Sequence, residues 1–133
     1  MKYLYLLFTV LYLNTASIHA QQPDQAPVYP GCEQETEKMA CFKEHLLNFM
    51  VENFNSDLLK KVKDAEQVNM LIGFVINEEG KLEDIQIKSG YDFLNEEMQK
   101  VLAKLPPIQP AEKDGTPIPM RYELPVIFEV PKQ

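Results

Sequence analysis

Apolar positions along this chain repeat with different periods in different stretches. Between residues 36 and 54, Met39, Phe42, Leu46, Phe49 and Met50 recur at steps of three and four, while Lys38, Lys43, Glu44 and Glu52 fall mostly off that line. This is one buried stripe of a helix, and its Met and aromatic content predicts core packing, not a cofactor site. A second short helix is predicted from Ser56 to about Ala65, with Ser56 and Asp57 at its N-terminus and Leu58, Leu59 and Val62 facing inward. Residues 68–77 (VNMLIGFVIN) are apolar at both parities, as expected of a central or covered strand. NEEGK then reads as a tight turn in which Gly80 can take a positive φ. Residues 82–89 return as a strand, Ile85 and Ile87 alternating with Gln86 and Lys88. Asp92 is placed to cap a helix that runs to about Leu105, buries Leu94, Met98, Val101, Leu102 and Leu105, and stops at Pro106-Pro107. Glu96 and Glu97 suit its positive N-terminal end.

Residues 106–117 read as a loop. Strict alternation follows, with Ile118, Met120, Tyr122, Leu124, Val126, Phe128 and Val130 on one face of a long strand. The other parity carries three prolines, Pro119, Pro125 and Pro131. Residues two apart in a strand direct their N–H groups to the same side, so all three missing donors lie along one edge. A central strand cannot lose donors in that way, whereas an edge strand can. The final strand is therefore predicted to be an edge, paired through its even residues. Arg121 and Glu123 still offer N–H groups on the open side between two prolines.

Ahead of these elements, Met1–Ala20 pairs one Lys with an apolar run to Leu13 and then small and polar residues. That is the pattern of a cleaved signal peptide, with the cut after Ala20, and the run is too short for a bilayer span of about 20 residues. An uncleaved anchor is the rival reading. Residues 21–35 form an extended, Pro-rich lead-in, and residues 36–133 the expected domain. Export sends Cys32 and Cys41, the only cysteines, to an oxidising compartment, where a single bridge closing a loop of about ten residues is the simplest outcome. The competing reading is a metal held by Cys32, Cys41 and His45, although the spacing matches no usual structural zinc site.

Composition narrows the function. Lys and Arg number 13 against 20 Asp and Glu, a net charge of −7, with 45% hydrophobic and 25% charged residues. The balance is that of a globular chain, and its acidity argues against nucleic acid or an anionic membrane surface as partner. No catalytic constellation emerges. His45 has only Glu44 beside it, Glu78-Glu79 and Glu96-Glu97 read as solvated neighbours, and Gly73, Gly80, Gly90 and Gly115 are isolated. The expectation is a non-enzymatic protein with no cofactor and no metal.

The order of elements, and the segments GFVINEEGKLEDIQIKSG, LNEEMQKVLAKLPPIQPAEKDGTPI and ELPVIFEV, resemble the C-terminal domain of TonB, the periplasmic energy transducer, over about residues 54–130. VYPGCE with a later Cys-Phe resembles a subgroup carrying an additional N-terminal helix. The resemblance implies an α+β fold, a small three-stranded antiparallel sheet packed on helices, with that extra helix in front. It also implies a periplasmic protein whose last strand receives an extended segment of a TonB-dependent outer-membrane receptor or another envelope protein by strand addition, here at Met120, Arg121, Tyr122 and Glu123. The family's Tyr-Pro before the first strand falls on Phe54-Asn55, and its late Pro-Gly on Pro110-Ala111. Only about ten residues separate the expected cleavage site from Cys32, far short of the spacer in TonB itself. Two other readings stand beside this one: an edge that pairs with another copy to give a homodimer, and a short membrane-anchored transducer.

Overall fold

Two apolar helical stripes and three long strands organise residues 22–132, the part of the chain that the computed structural model describes. The segment read as a signal peptide lies outside those residues. Helix α1 spans Lys38–Asn53 and buries Phe42, Leu46 and Met50, with Met39 and Phe49 half-buried beside them. It ends where Phe54 turns extended, although the Phe54 N–H still donates to the Met50 carbonyl at 3.0 Å. The next element is a 3₁₀ turn, Ser56–Lys61, four residues shorter than the predicted helix. Its cap is Asn55, whose side chain accepts the Asp57 N–H, and not Ser56. Val62 then resumes extended backbone and is buried, so the apolar contacts arise as expected from a shorter element.

Strands β1 (Gln67–Ile76) and β2 (Leu82–Lys88) form the predicted hairpin. Asn77 organises its turn: the side-chain oxygen accepts from the N–H groups of Glu79 and Lys81, and Gly80 sits at φ +79°. β2 contains a bulge between the pairs Gly73–Gln86 and Val75–Glu83, with Asp84 at φ +49°. Helix α2 covers Asp92–Leu102, and its N-cap position is Tyr91; Asp92 is the first helical residue, without a side-chain cap bond. Ser89 supplies the local order instead, accepting the Tyr91 N–H and bonding Asn95 at 2.6 Å. The helix stops three residues before Leu105.

The stretch 106–117 is more structured than a loop. Glu112–Lys113 (β3) and Thr116–Pro117 (β4) make a minimal hairpin around Asp114 and Gly115, at φ +51° and +76°. Positive φ at both central residues is the signature of a type I′ turn. The lead-in packs on this stretch. Val28 exchanges two main-chain bonds with Gln109, each 3.0 Å, and Gln25 does the same with Glu112. Pro27, Val28, Tyr29 and Cys32 are buried as a result.

The last strand, β5 (Met120–Glu129), lies antiparallel to β1 in an unbroken register from Gln67–Glu129 to Ile76–Met120. The sheet order is β2-β1-β5, so the architecture is the expected α+β one. Even-numbered Val68, Met70, Ile72, Phe74 and Ile76 of β1, with Val126 and Phe128 of β5, face the helices and are buried. β1 is the central strand, as expected, but its odd face is open at Leu71, 41% exposed, beside Ile127, 63% exposed, whereas Gly73 is buried and Val75 half-buried.

Candidate functional site

The open edge of β5 follows directly from this register. Beyond the strand, Val130 N–H donates to the Glu66 carbonyl at 2.8 Å, which fixes the even residues as the ones that bond to β1. The N–H and C=O groups of Arg121, Glu123, Ile127 and Glu129 therefore face outward, and those of Pro119, Pro125 and Pro131 contribute carbonyls only. The prolines divide the edge into two windows, each with two donors. The second, Ile127–Glu129, is absent from the sequence reading, which carried over only Met120–Glu123.

The windows differ beneath. Under the second, Val126 and Phe128 are already buried, Phe128 stacked on Phe54 at a centroid distance of 4.7 Å. Under the first, Met120, Tyr122 and Leu124 are only half-buried. A strand added there would remove further apolar surface from water, a gain beyond that of its main-chain bonds. Tyr122 is held from below by Phe42 of α1 and Phe74 of β1, at 6.1 and 6.2 Å between ring centres. Burial raises the pKa of its hydroxyl above the ordinary tyrosine value, so the ring stays neutral at physiological pH.

On the solvent face, Arg121 crosses β1 to form an ion pair with Asp84, the αL residue of the β2 bulge. Gly73 lies beneath that crossing: a Cβ built on it would stand 3.7 Å from Arg121 Nη1 and 3.9 Å from Glu123 Cγ. Asp84 is a site residue that sequence reasoning missed. The one available signal is that Asp enters the left-handed region more readily than most residues. Glu123 is exposed, with no ion pair among the described residues.

Cys32 and Cys41 are bridged, with 5.9 Å between their Cα atoms. The bridge fixes the turn between the buried Tyr29 and Cys32 to α1 one residue before Phe42, and Tyr29 meets Phe42 edge-on at 6.3 Å. Burial, and secondly the charge of Glu52, raise the pKa of the Tyr29 hydroxyl. The donor atoms of Cys32, Cys41 and His45 do gather within 4.8 Å of one another. Sulfurs bonded to each other are not thiolates, however, so the trio offers a cation one imidazole. His45 is exposed and lies against the Tyr29 ring at 5.3 Å. Glu78 and Glu79 are exposed in the hairpin turn, and Glu97 accepts the Asn55 N–H at 3.1 Å. No charged residue is buried among the described residues. What the site offers chemically is main-chain donors and acceptors over a half-covered apolar floor.

No helix among the described residues is long and apolar enough to cross a membrane. Comparison with the curated proteins finds no match. The family model for the C-terminal domain of the Gram-negative bacterial TonB protein matches residues 62–130, from the end of the 3₁₀ turn through β5 and just over half of the chain. The lead-in, the bridge and α1 lie outside the match. That family is one of periplasmic, non-enzymatic protein-interaction domains of envelope transport. By its sheet order, its edge strand and this match, the chain belongs to the TonB C-terminal domain family.

Proposed function

We propose that this protein is a periplasmic binding module that takes an extended segment of an envelope protein, a TonB-dependent outer-membrane receptor above all, as a fourth strand at Met120–Glu123. In this reading the chain is exported, residues 1–20 are removed, and residues 36–133 act as the binding domain without catalysis, cofactor or metal. The observation that carries it is the outward N–H pair of Arg121 and Glu123, closed off by Pro119 and Pro125. Strand addition draws its affinity from such main-chain bonds and its specificity from alternate side chains. The half-buried Met120, Tyr122 and Leu124 supply the inward contacts.

The test is photo-cross-linking in the cell envelope from a reactive side chain at position 121, with Glu123→Pro as the blocked edge. The Glu123 N–H points away from β1, so the proline removes a donor from the window and none from the sheet. An outer-membrane receptor captured by the parent and lost in the variant is the expected result. Capture of the same proteins by both, with the variant folded, would overturn strand addition at this window.

A further inference from the structure

The bridge between Cys32 and Cys41 closes beside an imidazole. We propose that, once a dithiol opens this bridge, Cys32, Cys41 and His45 form a three-donor site for one monovalent copper ion. The proposal goes beyond strand addition at β5 and is independent of it.

Two short elements hold the donors. Cys41 and His45 stand four residues apart on α1 and so share one face of the helix. Cys32 comes from the turn after Tyr29. Its N–H donates to the Tyr29 carbonyl at 2.9 Å, and its own carbonyl accepts the Glu35 N–H at 3.2 Å. The His45 ring is exposed but flanked: the Tyr29 ring lies 5.3 Å away between centres, and a Cβ on Gly31 would meet His45 Cε1 at 3.9 Å. The three donor atoms lie within 4.8 Å of one another, and no carboxylate joins the group among the described residues.

The bridged protein offers a cation only the imidazole. Reduction changes the donor set. A thiolate of the dithiol attacks Sγ of the half-buried Cys41 and displaces the fully buried Cys32 as the leaving thiolate. The second thiol of the reductant then releases Cys41, and the reductant departs as a disulfide. Two electrons and two protons have passed to the protein. Copper binds without changing its oxidation state, displaces the two thiol protons, and gains two bonds to thiolate and one to imidazole.

A donor set dominated by thiolates selects Cu(I), whereas Zn2+ takes four ligands and would draw its fourth from water. Metal–thiolate bonds of about 2.3 Å at trigonal angles set the sulfurs about 4 Å apart, each about 3.8 Å from the imidazole nitrogen. The nitrogen therefore needs to move by only about 1 Å. Rotation of Sγ about the Cα–Cβ bond separates the sulfurs while the Cα atoms keep their 5.9 Å spacing. The ion then ties the Cys32 turn to α1 in place of the bridge.

The experiment is an anaerobic titration of Cu(I), buffered by the chromogenic chelator bicinchoninate, against the exported protein reduced with a phosphine that is removed beforehand. The bridged parent, His45→Gln and Cys32→Ser run beside it. The reduced parent is expected to take one copper per chain from the chelator. The bridged parent, which keeps every methionine and the same imidazole, should take none. His45→Gln should hold copper at least about tenfold less tightly, since even residues that only support a metal ligand cost that much. Cys32→Ser should lose at least as much. His45 is exposed, so its replacement leaves the core intact. A thermal scan of the reduced parent should show a higher melting temperature with one equivalent of copper than without.

A reduced parent that leaves copper with the chelator, a bridged parent that takes as much, or a His45→Gln variant that binds as tightly as the parent would overturn the three-donor site. Preference for Zn2+ at equal concentration would overturn the choice of copper. Receptor capture at Met120–Glu123 enters none of these measurements, so the preceding reading stands or falls by its own cross-linking test.

Discussion

Gly80 is where the turn chemistry of the β1–β2 hairpin meets the core, and replacing it with Ala should be among the most damaging single changes in the domain. Two effects act together. At φ +79° an L side chain is strained by about 1–2 kcal/mol. In addition, a Cβ at this position would lie 1.7 Å from the carbonyl oxygen of Ile108 and 2.8 Å from its carbon. Those atoms belong to backbone, so the chain itself must move, by about 2 Å to reach ordinary contact. The same residue donates its N–H to the Gly80 carbonyl at 2.9 Å, and Ile108 is only 2% exposed. Displacement therefore weakens a buried hydrogen bond and disturbs packing, about 1 and 1–3 kcal/mol respectively. The total is roughly 3–6 kcal/mol out of the 5–15 typical of a domain. Gly90→Ala is the internal control, because Gly90 has φ +84° but nothing within 4 Å of its would-be Cβ. It should lose only the strain of about 1–2 kcal/mol. Urea unfolding with the disulfide intact measures both. Equal destabilisation by the two substitutions would refute the close-approach argument and leave backbone strain as the sole cause.

Two further outcomes are expected besides the tests above. Replacing Cys32 and Cys41 with Ser should destabilise the protein by about 2–3 kcal/mol on the loop-entropy model, and lower the melting temperature by roughly 10 °C in a calorimetric scan of the oxidised parent against the variant. Asp84→Ala loses an exposed ion pair and keeps the left-handed backbone, whereas Asp84→Gly loses the pair and relieves the backbone, so chemical denaturation should find the Gly variant more stable than the Ala variant by about 1 kcal/mol.

The edge of β5 was legible because parity ties three properties to residue number: the face of the side chain, the direction of the N–H and the tolerance of proline. Pro119, Pro125 and Pro131 share a parity, and the single bulge of the sheet falls in β2, where it leaves that parity intact. The helical stripes were legible for a similar reason, since Phe42, Leu46 and Met50, and Leu94, Met98 and Val101, recur at helical spacing. The rest depends on contacts distant in sequence. Pro27, Val28 and Tyr29 show no periodicity, and their burial is decided by Gln109 and Glu112 some eighty residues away. Asp114-Gly115 is a strong turn signal, but the two-residue arms beside it are too short to show alternation. Leu71 and Val75 make β1 apolar at both parities, which suits its central place in the sheet, yet Leu71 is exposed and Val75 only half-buried.

The window is bounded by the matched family region, yet much of what shapes it comes from outside that region. Its inner floor, Tyr122, rests on Phe42, which is carried by α1 and flanked by Tyr29. The bridge from Cys32 to Cys41 holds Tyr29 and Phe42 together. From the same lead-in, Val28 and Gln25 bond to Gln109 and Glu112, and Ala111 between them accepts the Ile118 N–H at 2.9 Å, one residue before Pro119. The floor of the window and the approach to its first proline are thus both tied to a segment that the family match does not include. Opening the disulfide therefore affects more than global stability. It frees the turn that braces Phe42 and, through the lead-in, the strand start at Met120. Amide exchange should then rise at Ile118, Met120 and Tyr122 more than at Val126 and Phe128, whose support comes from Phe54 beyond the bridge. Equal rises along the whole of β5 would mean that the lead-in stabilises the domain without shaping the window.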